Sequence, residues 1–375
     1  MRGVQGMYER FFNFSADPFR LSPDHRFCYR HARFSKAKAY MAYAFRRAEG
    51  FVMVTGPPGT GKTTLIGDVL DYLAKENVVV ANLVSTQLAE DDLLRSVAFA
   101  FEVDAHERDK STLLENLRTR FLALQGREGR ALLIVDEAQD LRARALEELR
   151  LLTNLQHDNK PLLQIFLLGQ PELRDLVHGK TLEPVHQRIV AASHLEGLEC
   201  DETEAYVVHR LQVVGWRGDP AIDRRIFPLI HKFSEGVPRR INLICSRLFL
   251  LGSVEERHAI GVEDMRVVIS ELQAENLAAG GFFSQEDFIV SGPTEWVPVP
   301  ESGREPEEKP EVQLRAVGNH EAPSAYHTAP QSPDAPSQGI KKKDPPPIAP
   351  IPKTQRVEPP APAARSAIAP KRNSG

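Results

Sequence analysis

Residues 56–64 constrain the fold more than any other part of the sequence. They follow the apolar run 51–54, precede a helical pattern, and read Gly56-Pro57-Pro58-Gly59-Thr60-Gly61-Lys62-Thr63-Thr64. The glycines allow a tight turn whose backbone N–H groups face a triphosphate, and the following helix adds its positive dipole end. In such a phosphate-binding loop (P-loop) the lysine reaches the outer phosphates and the next hydroxyl binds Mg²⁺. Because the pattern is complete, we prefer this interpretation to an ordinary glycine-rich turn.

A second motif follows another apolar run. Residues 131–135 fit a central parallel strand that is buried on both faces, and Asp136 and Glu137 come directly after it. Ligands of open α/β sheets bind at the carboxyl ends of the strands. We therefore expect Asp136 to share Mg²⁺ with Thr63, through water, and Glu137 to polarise the attacking water. An acidic turn is the alternative, but together with the P-loop the pair predicts ATP hydrolysis.

Composition limits the class of protein. The chain has 375 residues, which is enough for two domains, and its net charge of −4 gives no general attraction for nucleic acid. The three cysteines lie far apart, without metal-ligand or redox spacing, as is typical of a reducing cytosol. The N-terminus does not have a signal-peptide pattern, and no apolar run approaches the ~20 residues that span a bilayer. We therefore expect a soluble, cytoplasmic protein without a transmembrane segment.

Strand-like and helical patterns alternate up to about residue 198. The strands are predicted at 51–55, 78–84, 131–135, 162–169 and 190–195, and the helices near 35–48, 61–75, 90–101, 111–124 and 143–156. This alternation predicts an α/β fold in which a parallel sheet lies between two helical layers. Helices alone are predicted after that point, near 201–214, 220–233, 237–251 and 262–278. A three-layer P-loop core followed by a small all-helical lid is the layout of an AAA+ ATPase.

The composition changes again near residue 292. Of the 28 prolines, 18 lie at Pro293 or later, and apolar residues are too few there to offset the entropy of ordering. We expect a disordered Pro-rich tail, which is either a passive spacer or a docking segment. The predicted division is an N-terminal extension with a leading helix (1–48), the ATPase core (49–198), the lid (199–280) and the tail (281–375).

A series of strings over roughly residues 1–280 resembles the AAA ATPases of the general secretion pathway A (ExeA-like) family. In chain order, around the P-loop, they are Tyr8-Glu-Arg-Phe-Phe12, Asp17-Pro-Phe-Arg-Leu-Ser-Pro23, Val84-Ser-Thr-Gln-Leu88, Asp91-Asp-Leu-Leu94, Val135-Asp-Glu-Ala-Gln139, Leu168-Gly-Gln-Pro-Glu-Leu173, Gln187-Arg-Ile189 and Gly236-Val-Pro-Arg-Arg-Ile-Asn242. The Gly-Gln-Pro-Glu-Leu string and the last string are the most specific. The pattern is most similar to the subfamily found with exosortase/PEP-CTERM and exopolysaccharide loci.

The resemblance implies three further site residues. Gln170, which closes the strand 162–169, resembles the sensor-1 position that orients the attacking water, although Asn is more usual there and a helix-capping amide is the alternative. Arg188 resembles an arginine finger that completes a neighbouring subunit's site, and a surface salt bridge is the alternative. Arg239 resembles the sensor-2 residue that reaches the γ-phosphate from the lid. Adjacent Arg240 is the structural alternative, because it faces ~100° away on a helix.

These features together predict a Mg²⁺-dependent ATP hydrolase that acts as a homo-oligomeric motor or switch. The resemblance implies work in the secretion or assembly of exopolysaccharide or exosortase-sorted surface proteins. It implies membrane-associated export components as partners, and a peripheral position at the inner face of the inner membrane. A nucleic-acid-associated ATPase of the transposition or origin type is the alternative. The Arg-rich stretches 142–150 and 224–225 keep that alternative open, but acidic residues interleave the first of them and no DNA-binding domain is recognisable after the lid.

Overall fold

A parallel sheet forms the centre of the computed structural model, which describes residues 6–22, 24–47, 50–74, 76–84, 90–105, 109–126, 129–275, 285–290 and 292–298. The strands in these ranges are β1 (Phe51–Thr55), β2 (Val78–Val84), β3 (Arg130–Asp136), β4 (Gln156–His157), β5 (Lys160–Pro161), β6 (Leu163–Gly169), β7 (Ile189–His194), β8 (Ala221–Ile222) and β9 (Ala259–Ile260). The sheet has the order β2-β3-β6-β1-β7, with every neighbouring pair parallel. These five strands are the predicted ones, within one residue at each end.

Helices cover both faces of the sheet. They are α1 (Met7–Phe11), α2 (Ala32–Arg47), α3 (Lys62–Leu73), α4 (Glu90–Ala100), α5 (Lys110–Gln125), α6 (Ala143–Leu152), α7 (Glu172–His178), α8 (Glu183–His186), α9 (Cys200–Val213), α10 (Ile226–Ser234), α11 (Pro238–Val254) and α12 (Val262–Ala274). Phe51 and Met53 of β1 pack with α4 to α8, whereas Val52 and Val54 pack with α2 and α3. This is the two-residue period of a strand buried on both faces. The predicted three-layer α/β core is therefore confirmed.

A second hydrophobic core holds the helical lid together. Helices α9 to α12 pack around the fully buried Leu211, Ile230, Ile241 and Met265. The prediction of helices alone after residue 198 is corrected by β8 and β9, which form a short parallel pair. The N–H of Asp223 extends this ladder by donating to Ile260 O at 3.0 Å. Because the backbone here is bonded as extended chain, α10 begins at Ile226 rather than near residue 220.

The N-terminal segment is shared between the core and the lid. Tyr8, Phe12, Phe19 and Phe27 are buried in the hydrophobic core of the lid, whereas Phe34 of α2 is buried against the sheet. The chain therefore crosses from lid to core at residues 28–33, and it returns at residues 195–198. The predicted unit 1–48 is thus not one extension, because its aromatic side chains complete the apolar interior of a domain that lies far along the sequence.

The two crossings lie side by side. Arg33, next to the first crossing, forms an ion pair with Glu196 at 2.7 Å and a second ion pair with Glu199, which begins the lid. The lid is therefore built from both ends of the described chain, and the core is inserted between them.

Residues 285–290 and 292–298 also pack on the lid. The N–H of Arg224 donates to Glu295 O at 2.7 Å, the N–H of Val297 donates to Ile222 O at 2.9 Å, and Val297 is 8% exposed. The predicted start of a disordered tail at residue 281 therefore differs from the structure, because a few apolar side chains anchor this segment within a stretch of polar average composition. The predicted tail at 299–375 lies outside the described residues, as do residues 281–284. No helix in the described part of the chain is long and apolar enough to cross a membrane.

Candidate active site

The P-loop joins β1 to α3 in the conformation that its glycines allow. Gly59 and Gly61 have φ values of +84° and +96°, where a side chain would be strained, and Lys62 begins α3. Lys62 is 8% exposed, and its ammonium donates to Gly56 O at 2.7 Å and to Pro57 O at 3.2 Å. The Thr60 hydroxyl donates to Pro57 O at 2.9 Å, which closes the turn. The loop is therefore folded around its own lysine.

The acidic pair faces the P-loop. Asp136 ends β3 and Glu137 follows it with φ +50°, a left-handed conformation that is uncommon for a residue with a side chain. The N–H of Glu137 donates to Asp136 Oδ1 at 2.9 Å and supports this turn. Burial lowers the pKa of Lys62, and the nearby carboxylates of Glu137 and Asp136 oppose that shift. The structure thus brings together two motifs that lie more than 70 residues apart.

Gln170 lies beside Glu137, together with a residue that the sequence patterns did not identify. Gln170 Nε2 is 3.4 Å from Glu137 Oε2, and Gln139 Nε2 donates to the same oxygen at 2.7 Å. Gln139 also accepts a hydrogen bond from the Gln170 N–H at 2.9 Å. The only signal for Gln139 in the sequence was its place in the string after β3, which gives no indication of its partner, Gln170, directly after β6.

One cavity lies between the core and the lid at this site. Its walls come from the P-loop, the end of β3, the N-terminal segment and the lid, and they include Leu21, Cys28, Tyr29, His31, Phe34, Pro58, Gly59, Thr60, Gly61, Lys62, Thr63, Thr64, Asp136, Glu137, Leu198, Tyr206, Arg210, Arg239 and Asn242. The aromatic and most apolar members are on the N-terminal and lid walls, together with the charged Arg20, Asp24, Arg210 and Arg239, whereas Lys62, Asp136 and Glu137 are at the P-loop end. Such a division suits a ligand with an aromatic base and a polyphosphate.

Buried polar residues join the N-terminal wall to the lid. Arg210 donates to Tyr206 OH at 2.8 Å and also to Pro18 O, and Tyr206 OH donates to Asn242 Oδ1 at 2.9 Å. Burial lowers the pKa of His31, while Glu202, 3.5 Å away, opposes this shift. Sequence patterns did not identify this network, since its members are separated by many residues.

Arg239 and Arg240 have different surroundings. The N–H of Arg239 donates to Gly59 O at 3.2 Å, and a Cβ on Gly59 would lie 2.7 Å from Arg239 Cβ. Arg239 lines the cavity, whereas Arg240 forms an ion pair with Glu235 on the lid. The lid therefore touches the P-loop through Arg239, the first of the two candidates.

Arg188 does not lie at the cavity of its own chain. It precedes β7, whereas the P-loop follows β1, so the two are at opposite ends of parallel strands. Its Nη2 donates to Asn154 Oδ1 at 2.9 Å, and its carbonyl accepts from the Phe51 N–H at 2.7 Å. The structure therefore separates Arg188 from the other candidate site residues of the same chain.

Comparison with known proteins agrees with this arrangement. The family described as AAA domain matches residues 46–177, which include the P-loop, Asp136, Glu137 and Gln170. General secretion pathway protein A from Aeromonas hydrophila is 37% identical over 268 residues. That alignment covers 71% of this chain and 48% of the relative, so the chain spans about half the length of the curated protein.

Solved structures share the fold. The ORC2 protein of Aeropyrum pernix, in its ADPNP-ADP complexes, has a TM-score of 0.51 at 17% identity, over 67% of this chain and 72% of its own. Cdc6p of Pyrobaculum aerophilum has a TM-score of 0.51 at 17% identity, over 70% of both chains. Drosophila ORC bound to DNA has a TM-score of 0.53 at 17% identity, over 73% of this chain and 67% of its own. Similarity at these identities shows the AAA+ fold alone. The AAA domain match and the assembled P-loop site together show an ATPase with an AAA+ fold, which is similar to general secretion pathway protein A over 268 residues.

Proposed function

We propose that this ATPase depends on Mg²⁺ and works as a homo-oligomeric conformational switch. The observation that carries the proposal is the convergence of Lys62, Asp136, Glu137 and Arg239 on one cavity between the core and the lid. A ligand held there contacts both bodies at once. Hydrolysis then changes what the lid can contact, so the chemical step is linked to lid position.

The residues at the P-loop fit a magnesium ion beside a triphosphate. Thr63 supplies a hydroxyl and Asp136 a carboxylate, which are the hard oxygen donors that Mg²⁺ prefers, and both line the cavity. Gly59 and Gly61 have positive φ values and no Cβ, so the loop backbone turns tightly there without side-chain strain. We infer that Thr63 and, through water, Asp136 hold the ion, which when bound neutralises charge on the β- and γ-phosphates.

The remaining side chains have separate roles in hydrolysis. Glu137 accepts a proton from water as the water oxygen bonds to the γ-phosphorus, and the bond from that phosphorus to the bridging oxygen of ADP breaks. The proton then leaves Glu137 for solvent. Lys62 exchanges its loop carbonyls for phosphate oxygens, Gln170 orients the water, and Arg239 stabilises the γ-phosphate from the lid.

The role of Glu137 is tested by Glu137→Gln. We expect ATP affinity within about threefold of the wild type and a kcat lower by roughly 10²-fold or more, because the amide cannot accept the proton. Equilibrium binding and steady-state phosphate release measure the two quantities. Asp140→Asn, an exposed acid three residues later, is the matched control and should turn over ATP normally. Full turnover by Glu137→Gln would refute the assignment.

The oligomeric part of the proposal is tested through Arg188. If Arg188 completes a neighbour's site, specific activity rises with protein concentration, and Arg188→Ala loses roughly 10³-fold in kcat while it keeps its nucleotide. Asn154→Ala removes the partner of Arg188 but leaves the guanidinium, so it should remain active. A rate that does not depend on concentration and is unaffected by Arg188→Ala would disprove the shared site.

We further propose that the switch serves the secretion or assembly of exopolysaccharide or exosortase-sorted surface proteins, from the cytoplasmic face of the inner membrane. The identity to general secretion pathway protein A supports secretion in general. In cells, replacement by the Glu137→Gln variant should block export of that material. Turnover that is stimulated by DNA, and is lost as salt rises, would instead favour the nucleic-acid-associated alternative.

A further inference from the structure

We propose that Gln139 is a positioning residue, which holds the Glu137 carboxylate in register with the end of β6. The inference rests on the proposed role of Glu137 as the acceptor of the water proton. Gln139 lies in the short helical turn after Glu137 and is half-buried. It contacts the reacting atoms only through Glu137 and Gln170.

Gln139 uses both ends of its amide. Its Nε2 donates to Glu137 Oε2 at 2.7 Å, and its Oε1 accepts from the Gln170 N–H at 2.9 Å. A backbone N–H can only donate, so Oε1 must face Gln170 and the NH₂ group must face the carboxylate. A flipped amide would place two donors together at Gln170 and two acceptors together at Glu137. The network therefore specifies one orientation of Gln139.

The backbone provides space for this amide. A Cβ on Gly169 would lie 2.7 Å from Gln139 Oε1, which is closer than real contacts allow. The carbonyl of the same glycine accepts from the Gly56 N–H at 3.2 Å, at the start of the P-loop. The amide thus contacts the part of β6 that is bonded to the phosphate-binding loop. The path from the P-loop to Glu137 through Gln139 therefore consists of three hydrogen bonds and the end of β6.

The arrangement leaves one carboxylate oxygen available. Gln139 and Gln170 both approach Oε2, and no N–H within the described ranges donates to Oε1 of Glu137. A carboxylate that must take a proton from water needs an oxygen that is not already occupied. Gln139 therefore holds Glu137 by one oxygen and presents the other. Glu137 also has a left-handed backbone, and such strained conformations persist where the surrounding contacts fix them.

The test compares two substitutions of Gln139 that remove different hydrogen bonds of its amide. Gln139→Met keeps the length and removes both hydrogen bonds. Gln139→Glu keeps an acceptor for the Gln170 N–H but cannot donate to Glu137 when ionised. We expect both variants to lower kcat by roughly 10- to 100-fold, which is less than loss of the base itself, with ATP affinity unchanged within about threefold. Gln212→Met, on the exposed surface of α9, is the matched control.

A double-mutant cycle with Glu137→Gln completes the experiment. If Gln139 acts through Glu137, adding Gln139→Met to Glu137→Gln lowers turnover by no more than about twofold further. Wild-type kcat in Gln139→Glu, a change confined to KM, or an additive loss in the double mutant would each overturn the inference. An active Glu137→Gln variant would remove the proposed base and this inference together. An inactive Glu137→Gln variant beside a fully active Gln139→Glu variant would remove this inference alone.

Discussion

At the scale of single residues, the glycines of the P-loop and α3 differ in what a side chain would meet. At Gly59 the backbone is left-handed and a Cβ would strike Arg239 and Val237 of the lid. At Gly61 the backbone is left-handed but no atom lies within 4 Å. Gly67 in α3 has neither restriction. Substitutions at these three positions therefore distinguish the effect of backbone strain from the effect of contact with the lid.

Alanine at each position should give a different result. Gly67→Ala should raise the free energy of unfolding by about 0.5–1 kcal/mol through helix propensity. Gly61→Ala should lower it by about 1–2 kcal/mol through left-handed strain alone. Gly59→Ala should cost about as much in strain and should also weaken ADP binding, since the lid must move away from the loop. Denaturant unfolding and ADP titration measure both effects, and equal ADP affinity in the Gly59 and Gly61 variants would contradict the role of the lid contact.

Site residues that stand in a short sequence motif can be predicted, whereas those defined by contacts between distant residues cannot. Lys62, Thr63, Asp136 and Glu137 stand in unbroken motifs at strand ends, so their meeting follows from the parallel sheet. The partner of Gln139 is 31 residues away, directly after another strand. The pairing of Arg210 with Pro18 joins positions 192 apart. No periodic pattern encodes such contacts, so only the folded chain identifies them.

At the scale of elements, residues 285–290 and 292–298 form a segment that continues the lid. Its backbone pairs with residues 222–224, and Phe288 packs on Phe233 with ring centroids 5.0 Å apart. Composition alone assigned this stretch to the tail, because proline enrichment begins near residue 292 and few apolar residues follow it. The regular helices were predictable from their spacing, whereas anchors without a period were not.

The contribution of this segment can be measured with a matched pair. Val297→Ala should lower the free energy of unfolding by about 1–2 kcal/mol, since it removes buried methyl groups next to the β8 ladder. Ile289→Ala, at a side chain that is 75% exposed, should change it by less than about 0.5 kcal/mol. Chemical denaturation of both variants gives the comparison. Equal effects would mean that the segment does not pack on the lid in solution.

At the scale of the whole molecule, the nucleotide cavity is a joint surface of the core and the lid. The lid contributes Arg239, the core contributes the P-loop, and the N-terminal segment contributes Tyr29 and His31. A ligand there should therefore couple the stability of the two bodies. Sequence patterns predicted both the core and the lid, but they did not show that the N-terminal aromatic residues belong to the lid.

Nucleotide binding should therefore stabilise the molecule as one unit. At ADP concentrations about 100 times Kd, we expect the free energy of unfolding to rise by roughly 2.7 kcal/mol. Both tryptophans, Trp216 and Trp296, lie in the lid or on its surface, so fluorescence reports the lid while far-UV circular dichroism reports all helices. The two signals should shift together. Lys62→Ala should abolish the shift, and a circular dichroism shift without a fluorescence shift would show that the lid is not coupled.

The two chain crossings that Arg33 holds side by side determine how the lid can move. Both covalent connections between the bodies run along one rim of the cavity, at residues 28–33 and 195–198, and the ion pairs of Arg33 with Glu196 and Glu199 keep them together. We therefore expect the lid to rotate about these two connections when the cavity opens, so that ATP enters and ADP leaves on the side away from Arg33.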